Sequence, residues 1–172
     1  YSYSGGTFGY VYAQSSGKAV KINKVSYSSK DAYSIGSKAG FIFGGISKNV
    51  DVENVDLTIS SEMVISAYKF GGLVAGESAG KLKNVKVNGT GYQTPVFSTK
   101  SFRPMAVGGV VGYMICGDLS NIEMNQSFEI ENVGDETIEY VGGIAGYVNT
   151  LTFAGRSQFE EIVMSADISA RN

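Results

Sequence analysis

Histidine and tryptophan are absent from this chain, and cysteine occurs only once. Without histidine the chain lacks the residue that most often serves as a general base or metal ligand near neutral pH. The single cysteine, Cys116, excludes an intrachain disulfide and argues against a cysteine-based zinc site. Because isolated cysteines are usually buried, we expect Cys116 to be a small apolar core residue and not a reactive or interchain thiol.

A strong net charge and long apolar runs are missing as well. The 172 residues carry a net charge of -2 with the two signs interspersed, which provides no electrostatic attraction for nucleic acid or for an anionic membrane surface. No stretch approaches the roughly 18 consecutive apolar residues that cross a bilayer. With 43% apolar residues, however, the chain can bury a core.

Glycine is abundant, with 23 residues, and much of it lies in a segment that recurs five times. The copies begin near residues 5, 39, 71, 108 and 142 and read GGTFG, AGFIFG, GGLVAG, GGVVG and GGIAG. Their second residues stand at 6, 40, 72, 109 and 143, so successive copies are 34, 32, 37 and 34 residues apart. This spacing is typical of a repeat protein.

A second repeated feature follows each glycine segment. It is centred on an apolar residue, namely Val25, Val55, Val85, Ile122 and Ile162 in the five units. Apolar residues also stand three positions earlier (Ile22, Val52, Leu82, Leu119, Phe159) and two positions later (Tyr27, Leu57, Val87, Met124, Met164). The alternation of apolar and polar residues predicts a strand with one buried face, and the dispersed glycines disfavour a helical repeat.

One such unit cannot bury its apolar face alone, but stacked copies cover the face and pair their backbones. We therefore predict an all-β fold, a parallel β-solenoid of about five coils with a repeat of about 34 residues, which occupies residues 1–172 as one segment. A β-propeller is the poorer alternative, because the Asn-Gly and Asp-Gly turns that suit its hairpins are not regularly spaced.

The interval at residues 89–104 contains both prolines, and proline cannot donate to a central β-ladder. We predict a loop here. Its aromatic and basic residues form a candidate contact surface for a partner or a sugar, or else fold down to seal the side of the solenoid. These residues are Tyr92, Phe97, Lys100, Phe102 and Arg103.

Two of the units resemble a known family. Residues 71–76 followed by 80–85 (GGLVAG and GKLKNV), and residues 108–112 followed by 117–122 (GGVVG and GDLSNI), resemble the GLUG repeat. This resemblance implies a β-solenoid stalk of a large secreted or cell-surface protein, as in bacterial adhesin-like proteins and the non-catalytic part of some immunoglobulin A peptidases. The motif is structural and carries no catalytic residue over. The other units depart from it; the fifth has Glu160 and Glu161 where the family prefers a polar residue and Asn.

Carboxylates are the candidate catalytic groups, because β-solenoid enzymes that cleave polysaccharides use Asp and Glu on an exposed face. The candidates are Asp51, Glu53, Asp56, Asp118, Glu123, Glu160 and Glu161. Lys, Asn and Ser occupy the neighbouring positions of other units, so we interpret the set as a solvated surface. Calcium-loop patterns are missing, and we predict no catalytic, cofactor-binding or metal site and no enzymatic activity.

A row of small polar residues is predicted along one side of the coils. Its members are Ser28, Thr58, Asn88, Asn125 and Ser165. Asn88 and Asn125 also begin sequons, which predict N-glycosylation if a eukaryote secretes the protein. Tyr10, Tyr113 and Tyr147 share a position just after the glycines, where we expect an aromatic ladder.

Together these features predict a structural or adhesive role as an extracellular or cell-surface stalk, spacer or filament component that presents loops. The alternative is a carbohydrate-active β-helix enzyme or a polysaccharide-binding module on the same fold. Because the repeat pattern begins and ends inside a unit, we expect the ends to engage further coils, either of the same chain or, head to tail, of other copies. Surface glycans and host or matrix proteins are further candidate partners, and nucleic acid is not.

Overall fold

A computed structural model describes residues 2–14, 19–29, 32–60, 63–90, 94–98, 105–131, 138–150 and 156–171. Within these ranges the chain forms eighteen β-strands and contains no helix that could span a membrane. In chain order the strands are β1 (Tyr3–Gly5), β2 (Phe8–Val11), β3 (Val20–Ser29), β4 (Ala32–Gly40), β5 (Phe43–Ile46), β6 (Val50–Ile59), β7 (Met63–Gly72), β8 (Ala75–Ser78), β9 (Lys81–Gly89), β10 (Val96–Ser98), β11 (Ala106–Gly108), β12 (Val111–Ile115), β13 (Asp118–Met124), β14 (Phe128–Glu131), β15 (Tyr140–Gly142), β16 (Ala145–Asn149), β17 (Gln158–Met164) and β18 (Ile168–Arg171).

The strands form three sheets, which we call A, B and C. Sheet B consists of β2, β5, β8, β12 and β16, and sheet C consists of β3, β6, β9, β13 and β17. Sheet A contains the remaining strands, β1, β4, β7, β10, β11, β14, β15 and β18. Each pass of the chain through A, B and C is one coil. The five passes through sheets B and C correspond to about four full turns with a repeat of about 34 residues.

Every pairing between the described strands is parallel. The predicted parallel β-solenoid is therefore confirmed, and the β-propeller alternative, whose blades need antiparallel strands, is wrong. The reason lies in the repeat: a strand that meets its own equivalent from the next unit must run in the same direction.

The predicted apolar rows lie in register across sheet C. Val25 faces Val55, which faces Val85, and the row continues through Ile122 to Ile162. The rows that stand three residues earlier and two residues later are aligned in the same way. In the central coils these side chains are fully buried, whereas Phe159 in the last coil is 43% exposed. The prediction of continuous burial is therefore confirmed for the central coils and for Val25, whereas Ile22 and Ile162 are only partly buried and no further described coil covers Phe159.

Aromatic and aliphatic side chains from all three sheets fill the interior. Phe41, Phe43, Phe97 and Phe128 are each at most 1% exposed. Phe97 of β10 meets Phe128 of β14 edge to face, with ring centroids 5.3 Å apart. Contacts of this kind between coils stabilise the stack beyond the burial of each ring alone.

A tight corner joins sheet A to sheet B in every coil, and glycine occupies the last sheet-A position. The glycines in register are Gly5, Gly40, Gly72, Gly108 and Gly142. A Cβ atom on any of them would lie 2.0 to 2.4 Å from the carbonyl oxygen of the residue three positions later. Glycine recurs here because no side chain fits between the two backbones.

This register corrects the sequence alignment by one residue in three units. Gly40 and Gly72 match the first glycines of the other pairs, at 5, 108 and 142, and not the second glycines at 6, 109 and 143. The sequence does not show which glycine of a pair stands at the corner, because both positions leave little room for a side chain.

In sheet A the second and third coils each contribute one long strand, whereas the fourth and fifth coils each contribute two short strands. Strand β7 pairs with both β10 and β11. Strand β10 lies inside the interval predicted as a loop, so that prediction is wrong for residues 96–98. Pro95 is compatible with this arrangement because it stands just before the strand and contributes only its carbonyl, which accepts a hydrogen bond from the Glu129 amide at 2.9 Å.

Candidate functional site

The outer face of sheet C carries the carboxylates that the sequence singled out. Three outward rows cross its five strands in register: Lys21, Asp51, Lys81, Asp118 and Gln158; Asn23, Glu53, Lys83, Ser120 and Glu160; and Ser26, Asp56, Lys86, Glu123 and Val163. Acidic and basic residues alternate along these rows. Each carboxylate of the three central coils therefore has a lysine as a neighbour on the next strand.

Two of these neighbours form ion pairs. Lys81 Nζ lies 3.9 Å from Asp118 Oδ2, and Lys86 Nζ lies 3.1 Å from Glu123 Oε2. Between the first two rows the surface forms a depression of about 300 Å³. Asp51 and Asp118 both line it, but the strand that carries Lys81 separates them. Among the described residues no group of three or more His, Cys, Asp or Glu side chains is arranged to hold a metal ion.

A ladder of asparagine side chains runs beside the charged rows. Asn54 donates from Nδ2 to Asn23 Oδ1 at 2.7 Å, Asn84 donates to Asn54 at 2.8 Å, and Asn121 donates to Asn84 at 2.8 Å. Every donor points from a later coil to the preceding one. We call Asn23, Asn54, Asn84 and Asn121 the asparagine ladder. It ties four coils together through side chains, in addition to the backbone ladders.

The same strands contain one left-handed residue in every coil. The residues with positive φ in register are Lys24, Asn54, Asn84, Asn121 and Glu161, with φ between 52° and 60°. We call them the left-handed row. Asparagine tolerates this conformation better than other non-glycine residues, which explains the three central members. The side chain of Lys24 contains no hydrogen-bond acceptor, so Asn54 donates its hydrogen bond to the adjacent Asn23 instead.

Sequence reasoning missed the left-handed row and the ladder. The available signal was an asparagine directly before the central apolar residue in three successive units, at 54, 84 and 121. In the sequence each of these asparagines stands only as the second of two polar residues between apolar positions of the strand. Strict alternation cannot hold there, because a left-handed residue rotates the chain out of the pleat.

Two facing rows of side chains form an aromatic edge beside the glycine corner. The sheet-A row is Tyr3, Lys38, Phe70, Ala106 and Tyr140, and the sheet-B row is Tyr10, Gly45, Glu77, Tyr113 and Tyr147. Ring centroids are 4.3 Å apart for Tyr3 and Tyr10 and 5.4 Å apart for Tyr113 and Tyr147. The predicted equivalence of Tyr10, Tyr113 and Tyr147 is confirmed, although Gly45 and Glu77 interrupt their ladder. The sheet-A row was missed; its signal was an aromatic residue two positions before the corner glycine.

An ion pair lies in the middle of the aromatic edge. Lys38 Nζ is 2.5 Å from Glu77 Oε2 and 3.0 Å from the Tyr3 hydroxyl oxygen, and both charged side chains are nearly buried. Burial by itself would lower the pKa of Lys38, but its hydrogen bonds to Glu77 and Tyr3 outweigh burial and raise that pKa. Burial also raises the pKa of Tyr10, with Tyr3 and Glu77 contributing.

The two sequons lie on neighbouring coils of the predicted polar row. Thr58 faces Asn88 in register, and Asn125 Nδ2 donates to Asn88 Oδ1 at 3.0 Å. Asn125 is exposed and Asn88 is half-buried. Glycosylation at either position stays a prediction.

The candidate contact loop is only partly within the described residues. Phe97 is 1% exposed and belongs to the core, so its assignment to a contact surface is wrong. Strand β10 pairs on both sides, with β7 and β14, and the Phe97 ring packs inside the core against Phe128, so this residue follows the alternative of folding inward to seal the solenoid. Tyr92, Lys100, Phe102 and Arg103 lie outside the described residues.

Cys116 also departs from expectation. It is half-buried at a left-handed turn just before sheet C, with φ of 51°. Its Sγ lies 3.8 Å from the Thr150 carbonyl oxygen. The prediction of a core position is therefore wrong.

Comparison with known proteins adds no relative. No family model, no curated protein and no solved structure matches this chain. The resemblance to the GLUG repeat consequently depends on the quoted motifs alone.

Proposed function

We propose that this chain is a structural segment of an extracellular or cell-surface protein, a stiff spacer that holds other parts of an assembly at a distance. The observation that carries the proposal is the unbroken register of sheets B and C through five coils around one buried core. Each coil of such a stack is stabilised by its neighbours. At a strand spacing of about 4.8 Å, the four steps between the five coils span about 19 Å.

The surface chemistry supports a structural role. The carboxylates in the three central coils of sheet C lie beside lysines, and two of the neighbours form ion pairs. Charges arranged in this way hold adjacent strands in register, as cross-strand pairs do in other sheets. The hydrogen bonds of the asparagine ladder also join neighbouring coils, because they run along the axis of the stack.

A distance measurement tests the spacer. Spin labels at Ser26 and Val163, which share an outward row of sheet C in the first and last coils, should give one narrow distance distribution when the labelled chain is diluted with an excess of unlabelled chain. The labels are attached through cysteines introduced in a Cys116→Ser background. A broad distribution would show that the coils do not form a stiff unit, and the role as a spacer would then be abandoned.

The location outside the cell is tested separately. The GLUG resemblance supports it, and an antibody against the folded chain should label intact cells of the source organism or detect the protein in the medium. Labelling that requires permeabilised cells would refute this part of the proposal.

Polysaccharide binding is a second candidate, and the aromatic edge favours it. Tyr12 extends the aromatic edge, because its ring centroid lies 6.3 Å from that of Tyr10, and it is 65% exposed. Tyr140, which stacks on Tyr147, is 42% exposed. Exposed aromatic faces pack against sugar rings in binding modules. Affinity electrophoresis against a panel of polysaccharides should show retardation that Tyr12→Ala and Tyr140→Ala reduce. Tyr33→Ala is the matched control, because Tyr33 is 60% exposed but lies outside the aromatic edge. Unretarded migration of the wild-type chain would dismiss this candidate.

A further inference from the structure

The left-handed row changes residue type only in the first and last coils. Its end members, Lys24 and Glu161, have φ angles of 60° and 53°. Neither side chain offers the short local hydrogen bonds that suit asparagine to this conformation, so backbone preference does not account for them. Both side chains are exposed, each on an edge strand of sheet C, and their charges are opposite.

The difference in charge extends along both edges of sheet C. Strand β3, at one edge, contains Lys21 and Lys24 and no acidic residue. Strand β17, at the other edge, contains Glu160 and Glu161 and no basic residue. Like edges repel and unlike edges attract, so the charges favour a head-to-tail contact over a symmetric one.

Exposed apolar residues are concentrated at the two ends of the stack. Of the thirteen large apolar side chains exposed among the described residues, ten lie in the first coil or in β15–β18. They are Tyr10, Tyr12, Val20, Tyr140, Val141, Val148, Phe159, Val163, Met164 and Ile168. Phe159 and Met164 belong to inward rows whose central members are fully buried. A further coil in register would cover them.

We infer that the last coil of one copy of this chain stacks on the first coil of a second copy, in the parallel register that relates neighbouring coils. The inference rests on the proposed function as a structural segment. In this register Glu161 of one copy faces Lys24 of the next, and Phe159 covers Ile22. Glu160 faces Asn23, which accepts the end bond of the asparagine ladder and can donate its own N–H groups to that carboxylate.

The contact uses two different surfaces, so it does not close into a ring of two. Every added copy leaves one edge of each kind open, and continued addition builds a filament. Each addition also pairs strand edges that an isolated stack exposes.

A charge exchange tests this contact. Sedimentation velocity over a series of concentrations at low salt should show that the wild-type chain grows in size. Lys24→Glu or Glu161→Lys places like charges across the contact and should weaken association about tenfold. Lys48→Glu is the matched control, since Lys48 is exposed in a turn of the second coil, and it should associate like the wild type.

Two arms restore the opposite charges. The double variant Lys24→Glu/Glu161→Lys should regain most of the association. An equimolar mixture of the two single variants should also regain it, because alternating copies meet an opposite charge at every contact. Circular dichroism of each variant verifies the fold, so that a loss of association is not a loss of structure.

A wild-type chain that stays a folded monomer at the highest concentration would overturn the inference. So would a double variant and a mixture that associate no better than the single variants. The spin-label distance separates this result from the proposed function. A monomer with one narrow distance retains the spacer and loses only the contact between copies, whereas a broad distance removes the spacer itself.

Discussion

Replacing Asn84 separates the two roles of the left-handed row, which are to hold an unusual backbone conformation and to supply the ladder. Asn84 has φ of 53°, donates to Asn54 and accepts from Asn121. Asn84→Gly removes both hydrogen bonds but adds no backbone strain, because glycine readily adopts the left-handed conformation. Asn84→Ala removes the same bonds and also places a Cβ-bearing residue without a local hydrogen bond in the left-handed region.

The magnitudes follow from these contacts. Two hydrogen bonds at a half-exposed position contribute about 1 to 2 kcal/mol together. The left-handed conformation costs alanine a further 1 to 2 kcal/mol, roughly. We therefore expect a loss in the free energy of unfolding of about 1.5 kcal/mol for Asn84→Gly and about 3 kcal/mol for Asn84→Ala.

The order of the two variants is the decisive result. In an ordinary strand position glycine is worse than alanine by about 0.5 to 1 kcal/mol, so the neighbouring Lys83→Gly and Lys83→Ala should show the reverse order. Urea melts of the four variants, with the slope checked for two-state behaviour, provide the comparison. If Asn84→Ala is as stable as Asn84→Gly, or more stable, the account of the left-handed row is refuted.

Four further outcomes are expected. Val85→Ala should cost about 2 to 4 kcal/mol because Val85 is fully buried, and Lys83→Ala under about 0.5 kcal/mol; equal losses in thermal melts would mean that the faces are assigned wrongly. Gly72→Ala should abolish cooperative unfolding or cost more than about 3 kcal/mol, since its Cβ would lie 2.1 Å from the Ala75 carbonyl oxygen; a calorimetric scan like that of wild type would contradict this. The raised pKa of Lys38 means that its contribution to stability is complete below its ordinary pKa of 10.5 and is lost as pH rises through the raised pKa. Denaturant melts from neutral to alkaline pH should therefore show a steeper loss for wild type than for Lys38→Met/Glu77→Gln. On secretion from a eukaryotic host, mass spectrometry should find a glycan on Asn125 or Asn88 but not both, because their side chains are 3.0 Å apart; full occupancy of both would contradict this.

The repeat and the buried rows of sheet C could be predicted because they depend on local pattern. Val25, Val55 and Val85 share one offset from flanking apolar residues, and stacking of identical offsets permits only a parallel register. The phase of the glycine corner could not be fixed in the same way. Two neighbouring glycines look alike in the sequence, so the pattern does not reveal which of them lies against the carbonyl oxygen of Ala75 or of its equivalents in the other coils.

The surfaces were predicted less well, since they depend on contacts between sheets and between coils. The aromatic edge needs Tyr3 opposite Tyr10, which are seven residues apart on different sheets. The pairing of Lys38 with Glu77 joins residues 39 positions apart in adjacent coils, and neither residue resembles its equivalents in the other units. Strand β10 escaped prediction because Pro95 indicated a loop, whereas proline immediately before a strand interrupts nothing.

In the fourth coil, sheet A contains two short strands in place of one long strand, and this division makes the fold tolerant of changes in chain length. Strand β7 holds β10 and β11 at fixed registers, and β10 ends at Ser98 whereas β11 begins at Ala106. Lengthening a connection between two strands held in this way costs little, about 0.6 kcal/mol for each doubling of its length. Peptides grafted at this place should therefore be displayed without any change in the core, which makes the solenoid a scaffold whose cargo can evolve, or be engineered, independently of its frame.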